Sequence, residues 1–303
     1  AAWRFMAGFG LAGELGGGIT LVTEVLPKEL RDYGTMNVAT VGVVGAVIGG
    51  HVPGFVHWLN AYFIGGGLGQ LLLILRMSVA ESGMFKNLKK SDAHVSRGNF
   101  LALFTNVKRF RKYLCCILIG LPTWFVIGIL VTFSPEFAKA LNVKGAVNAA
   151  HAVAFAYLGI TFGGFASGYL SQQMRSRKKV VLGFLLFSAL CLAAYLLARG
   201  CTDGTFYLII LLLGFGMGYW TVFVTIAAEQ FGTNIRATVA TTVPNFIRGS
   251  LVPIALAFNY LKPQTGILGS AAIVGAICFV IALWALRGLD ETSGKDLDYI
   301  EPA

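Results

Sequence analysis

The fold class this sequence predicts is a polytopic α-helical membrane protein, and three observations predict it. Across 303 residues the chain is 56% hydrophobic and only 13% charged, about half the charged share of a globular domain, with a mean hydropathy of +0.73. Apolar runs of roughly 20 residues, the length needed to cross the hydrocarbon core, recur from end to end. The basic residues are unevenly placed. Lys139, Lys144, Arg199 and Lys262 fall on one side, Arg4 and Arg248 fall within spans, and all the others lie in the opposite turns, the central loop or the tail. That is the positive-inside asymmetry. It sets the C-terminus in the cytoplasm and accounts for the net charge of +10 without a nucleic-acid partner.

The first span covers about 3–25 and ends at the turn PKELRDYG, where Pro27 stops the helix. Two carboxylates, Glu14 and Glu24, and one arginine, Arg4, sit in this glycine-rich run. Ionisable groups at membrane depth are costly unless paired or hydrated, so they belong at a helix interface or a wet cavity. Gly10, Gly13 and Gly17 follow i, i+3, i+7 spacing, a stripe that admits a neighbouring backbone. Glu14 sits beside it. It reads either as a proton carrier, its pKa raised in a low-dielectric cleft, or as a structural hydrogen-bonding group.

The second span (about 34–51) repeats the glycine spacing at Gly42, Gly45 and Gly49, and a third covers 58–75. Residues 76–112 form a basic central loop whose Phe100, Leu103, Phe104 and Val107 fit one helical face, which predicts a helix lying in the interface. Six further spans follow at about 113–133, 148–170, 179–198, 205–228, 237–260 and 266–287, then a polar tail, 288–303. In the span near 237–260, Arg248 and Asn245 lie near mid-membrane between Pro244 and Pro253, placed to bind an anion or a charge partner. Trp124, Tyr157, Tyr219 and Trp220 are candidates to line a cavity. His51, His57 and His151 fall at span ends, and the five cysteines form no metal-ligand or disulfide pattern. No phosphate loop or nucleophile triad is present, so the sequence predicts neither an enzyme, a cofactor nor a metal site.

A parallel repeat organises the chain. Shifting it by 205 residues places Gly13 on Gly218, Glu24 on Glu229 and Arg31 on Arg236. Glu24 with Arg31 and Glu229 with Arg236 thus read as matching latches at the cytoplasmic ends of spans, with Arg177, Lys178 and Lys179 as further partners.

These residues resemble the major facilitator superfamily. RFMAGFGLAGE (4–14) resembles that family's fourth-helix motif, in which an arginine is followed by glycines, here Gly8 and Gly10. TEVLPKELR and AEQFGTNIR resemble its helix 4–5 and 10–11 turns. GYLSQQMRSRKKVV (168–181) resembles its helix 8–9 loop, with Gln172 where the motif often has aspartate. The resemblance implies about nine transmembrane helices corresponding to helices 4–12 of two pseudo-symmetric six-helix bundles. Residues 1–75 would then be the remainder of the N-terminal bundle and 113–287 the C-terminal one. Helices 1–3 are missing on this alignment, so the expectation is a piece of a longer polypeptide. GFGLAGEL is most similar to the organic-acid and metabolite symporter branch, and the motif's arginine, here Arg4, is associated in that family with proton coupling. The implied function is proton-coupled symport of a small organic anion across a bacterial inner membrane. GAVIGG (45–50) partly resembles an antiporter signature, with Ala46 in place of its proline, which leaves efflux as one alternative. A non-transporting sensor or assembly subunit is the other.

Overall fold

The computed structural model describes residues 14–27, 30–77, 98–295 and 299–300. The described elements are helical: α1 (Glu14–Val25), α2 (Arg31–Phe55), α3 (Trp58–Met77), α4 (Val107–Leu118), α5 (Leu121–Phe125), α6 (Ser134–Ala140), α7 (Ala149–Met174), α8 (Arg177–Leu197), α9 (Asp203–Met217), α10 (Trp220–Glu229), α11 (Thr233–Gly249) and α12 (Leu251–Arg287). Among the described residues five stretches are long and apolar enough to cross a membrane, and Leu59–Leu75 is a shorter apolar helix. The last of the five, Thr233–Arg287, is two spans joined: Gly266, at φ 70° and ψ 173°, breaks the helix where the sequence places a boundary. A positive φ of this kind suits glycine.

Local chemistry fixes the ends. Asn148, Ser176 and Thr202 each turn a side-chain oxygen onto a backbone N–H of the first turn of α7, α8 and α9, satisfying donors that a helix start leaves open. Asn106 does the same for Lys108 and Arg109. This cap corrects the expected interfacial helix. Asn106 is extended (φ −120°, ψ 122°), so Ala102–Thr105 forms only a single turn and α4 begins at Val107, inside the stretch read as loop. The four expected residues do not share one apolar face: Leu103 is buried, whereas Val107 is 83% exposed.

Every residue of α10 is buried. It is the axis of the described structure, packed by α1, α2, α4, α7, α8 and α11. The tightest crossing beside it joins α7 to α9. There a Cβ on Gly159 or Gly163 would strike the backbone of Phe215, and one on Gly214 the backbone of Ala156. Two small-residue pairs four apart, Gly159/Gly163 and Gly214/Gly218, therefore let these backbones touch. The glycines predicted for this role in α1 and α2 behave differently. Gly16, not Gly17, meets α11 at Thr241, while Gly17 and Gly45 have nothing within 4 Å. The stripe is offset by one residue because α1 turns that edge toward α11. Gly8, Gly10 and Gly13 lie outside the described residues, and the surroundings of Gly49 outside the described side chains.

Among the described residues three spans are interrupted. Pro122 supplies no N–H, and the helix breaks between α4 and α5. Beyond α5 the chain widens into a π-turn, Val126–Val131, closed by Thr132 N–H to the Ile127 carbonyl. The α9–α10 span breaks at Gly218–Tyr219, and the α11–α12 junction falls at Ser250, three residues before Pro253. Pro244, also expected to bend its span, sits inside a continuous α11. Interruptions at depth are tolerated where protein or a lined cavity re-satisfies the backbone.

Replacing Gly163 by leucine is expected to overpack the α7–α9 crossing, costing about 1–3 kcal/mol or more and lowering the thermal midpoint of the detergent-purified protein. Gly17→Ala, in open space, should leave that midpoint unchanged or slightly raised.

Candidate functional site

The charged end of the bundle gathers the latch residues with partners different from those the repeat suggests. Arg236, in the first turn of α11, has no exposed surface, and its Nη1 lies 3.2 Å from Glu24 Oε1 on α1. Glu229, at the end of α10, pairs with Arg177, at the start of α8; both side chains are buried. The sequence paired each glutamate with the arginine seven positions onward. The structure instead sends Glu24 across to the other copy's arginine, because Gly232 turns the chain so that α11 starts beside α1. The Arg31 side chain lies outside the described ones.

The tail completes this end. Glu291 accepts hydrogen bonds from Ser176 Oγ (2.6 Å) and from the backbone N–H groups of Arg177 (3.1 Å), Lys178 (3.2 Å), Thr292 (3.0 Å) and Ser293 (3.1 Å). Arg177 Nη1 donates to Thr292 Oγ1 at 2.8 Å. Lys178, expected as a latch partner, donates its ammonium to the Leu289 carbonyl and so holds the tail. Gln230 Nε2 donates to the Asp290 carbonyl (2.7 Å), and the Tyr299 hydroxyl donates to the Gln230 carbonyl (3.1 Å). Burial alone pushes the Glu291 carboxyl up, but the hydrogen bonds from Ser176 and the backbone outweigh it, and its pKa ends below the ordinary 4.5.

Between the charged end and mid-bundle lies a hydroxyl seam that the sequence reading missed. Thr225 Oγ1 donates to Thr35 Oγ1 on α2 at 2.9 Å, and Ser167 Oγ lies 3.0 Å from Thr221 Oγ1. Thr35, Thr221, Thr225 and Ser171 surround a small cavity that Arg177 also lines. The signal was present: Ser167/Ser171 and Thr221/Thr225 are hydroxyl pairs four apart on apolar helices, so each pair lies on one face.

Arg248 stands near the α11–α12 break. Its Nη1 donates to Asn245 Oδ1 at 3.3 Å, and Asn245 Nδ2 donates back to the Thr241 carbonyl at 2.7 Å. The guanidinium lies within electrostatic reach of Tyr157 on α7, and among the described residues no carboxylate pairs with it. Trp124 is on α5, which packs against α11 and α12. Its indole Nε1 is buried with no hydrogen-bond acceptor among the described residues. Three predicted residues, Arg248, Asn245 and Tyr157, are thus brought together, and Trp124 is on a helix that packs against α11. Two are not available in the same way. The Tyr219 hydroxyl donates to the Ile119 carbonyl (2.8 Å), which the α4–α5 break leaves open, and accepts from Thr123 (3.2 Å). Trp220 is buried against Phe223. Tyr219 thus ties the α9–α10 break to the α4–α5 break, while Trp220 packs within α10.

α1 and α11 run antiparallel, with Glu24 against Arg236 and Gly16 against Thr241. Continuing that register brings the backbone of Glu14 level with Val243–Asn245, one turn short of Arg248. The Glu14 side chain lies outside the described ones, and Arg4 lies outside the described residues.

Interrupted apolar helices long enough to cross a bilayer, with buried ion pairs at one end, mark an integral membrane protein. The profile of the major facilitator superfamily matches residues 1–255, and the chain belongs to that family. A curated relative, the proline/betaine transporter of Salmonella typhimurium, is 22% identical over 99% of this chain; the chain spans 64% of that relative's length. The crystal structure of the E. coli fucose:proton symporter FucP shares the fold, with a TM-score of 0.64 and 17% identity over 88% of this chain and 71% of that one.

Two measurements check the charged end. Glu24→Gln and Arg236→Met should each destabilise the protein by about 3 kcal/mol, the scale for breaking a buried pair. The double variant should cost little more than either, a non-additivity that a cycle of thermal midpoints reads directly. For the tail, the folded-state pKa of Glu291 lies below the unfolded one, so its contribution is complete above 4.5 and is lost as pH falls through the lowered value. The midpoint difference between wild type and Glu291→Gln should be constant from pH 5 to 8 and close as pH falls below about 4.5.

Proposed function

We propose that this chain forms most of a secondary active transporter that carries a small carboxylate-bearing solute together with protons. The observation that supports it most is the Arg248 cluster. A guanidinium oriented by Asn245 and near Tyr157, with the Trp124 indole N–H on the neighbouring α5 lacking an acceptor among the described residues, offers charge-assisted donors to a carboxylate. Proline and betaine, named for the curated relative, each carry a carboxylate, and FucP is named as a proton symporter. Glu14, level with this cluster on the facing helix, is the proton carrier of the proposal.

Transport follows as alternating access. Two bundles, one to which residues 1–75 contribute and one formed by 113–287, rock about a midplane site. The Glu24–Arg236 pair holds the cytoplasmic side closed and parts when it opens. The antiporter alternative rested on the glycines of α2, and Gly45 faces open space. A non-transporting subunit has no need of two buried ion pairs and an intramembrane arginine.

Solute uptake into proteoliposomes tests this, using proline, betaine, small dicarboxylates and neutral sugars with and without an inward proton gradient. Gradient-driven accumulation of a carboxylate is expected, reduced at least about tenfold in Arg248→Ala, the scale of one lost charge-assisted contact. Glu14→Gln should retain solute exchange at equilibrium but lose gradient-driven accumulation. Accumulation of neutral sugars alone, or carboxylate uptake indifferent to Arg248→Ala, would overturn the assignment.

A further inference from the structure

On the outer surface of the bundle, away from the proposed solute path, α8 and α12 run antiparallel and leave a groove of about 380 Å³ between them. Its floor is apolar: Leu182 and Leu186 from α8, Leu283 and Leu286 from α12. Its rim at the charged end is basic, formed by Lys178, Lys179 and Arg287. Spacing produces this arrangement. Positions 178, 182 and 186 recur every four residues on α8, and 283, 286 and 287 share a face of α12, so each helix contributes an apolar stripe ending in positive charge.

The three cations are not equivalent. Lys178 is committed to the Leu289 carbonyl. Lys179 and Arg287 are exposed, and neither forms an ion pair among the described residues. The two tail acids among the described residues are already engaged. Glu291 accepts five hydrogen bonds, and Asp290 pairs with Lys112 at 3.4 Å. The rim therefore presents net positive charge directly above a hydrocarbon-lined trough in a protein that spans a bilayer.

We propose that this groove binds an anionic phospholipid, its phosphate between Lys179 and Arg287 and an acyl chain laid along Leu182, Leu186 and Leu283. Charge complementarity selects the occupant. Phosphate of an anionic lipid meets two free cations at headgroup level, and basic pockets between membrane helices hold such headgroups. A zwitterionic lipid brings its own ammonium into the same rim and gains less. A free phosphate ion leaves the apolar floor empty, so the lipid is the ligand that uses both halves of the site.

The test is native mass spectrometry of the detergent-purified full chain titrated with phosphatidylglycerol or phosphatidylcholine of matched acyl chains. One retained phosphatidylglycerol is expected, bound more tightly than phosphatidylcholine. Its affinity should fall about tenfold in Lys179→Gln/Arg287→Gln, and phosphatidylcholine binding should stay unchanged. Both positions are exposed, and an unchanged thermal midpoint verifies that the double variant is folded. Lys139→Gln/Lys144→Gln, which removes two positive charges at the other end of the bundle, serves as the control. Three results would overturn the proposal: equal retention of the two lipids, an equal loss in the control variant, or displacement of the lipid by millimolar inorganic phosphate.

Discussion

A guanidinium without exposed surface cannot stand alone in a membrane bundle, and Arg236 is such a group. Desolvating it costs several kcal/mol unless a counter-charge is fixed nearby. Glu24 supplies that charge from α1, so the packing of the charged end depends on where α1 lies. The second buried pair, Arg177 with Glu229, is tied in turn to the tail through Thr292. One pair joins α1 to α11, and the other joins α8 to α10. Because α10 is buried throughout and touches both sets, displacement of either pair is felt along the axis of the molecule.

Above this end the structure substitutes specific contacts for regular helix. Breaks in the α4–α5, α9–α10 and α11–α12 spans free backbone carbonyls, and side chains take them. Tyr219 serves the Ile119 carbonyl, Ser167 that of Gly218, and Ser250 that of Ile247. The rigid parts are thus pinned by hydroxyls, whereas Arg248 meets only neighbouring neutral groups among the described residues. A pinned frame around such a cation is what the proposed anion recognition calls for.

Much of this was legible in the sequence, and the rest was not for physical reasons. Apolar length placed the spans, and Gly266 falls at the predicted start of the last one, since span length is set by the bilayer. The residues of the charged end were also legible, because charge at span ends is rare and repeated here. Their partners were not. Pairing depends on which helices are neighbours, and a repeat in sequence does not encode that Glu24 reaches Arg236. Glycine spacing predicted close packing in α1, but rotation of the helix decides whether Gly16 or Gly17 meets the neighbour. Tyr219 shows the same limit: an aromatic in a span reads alike whether it lines a cavity or closes a helix break.

The central claim is that the Glu24–Arg236 pair holds the charged end closed. Pulsed electron paramagnetic resonance between spin labels at Val25 and Ala237, both exposed and flanking the pair on α1 and α11, measures that directly, in a background where Cys201 is serine. Wild type should show a short, narrow distance distribution without solute, and Glu24→Gln should shift it to longer, broader distances. An identical distribution in both proteins would contradict the account.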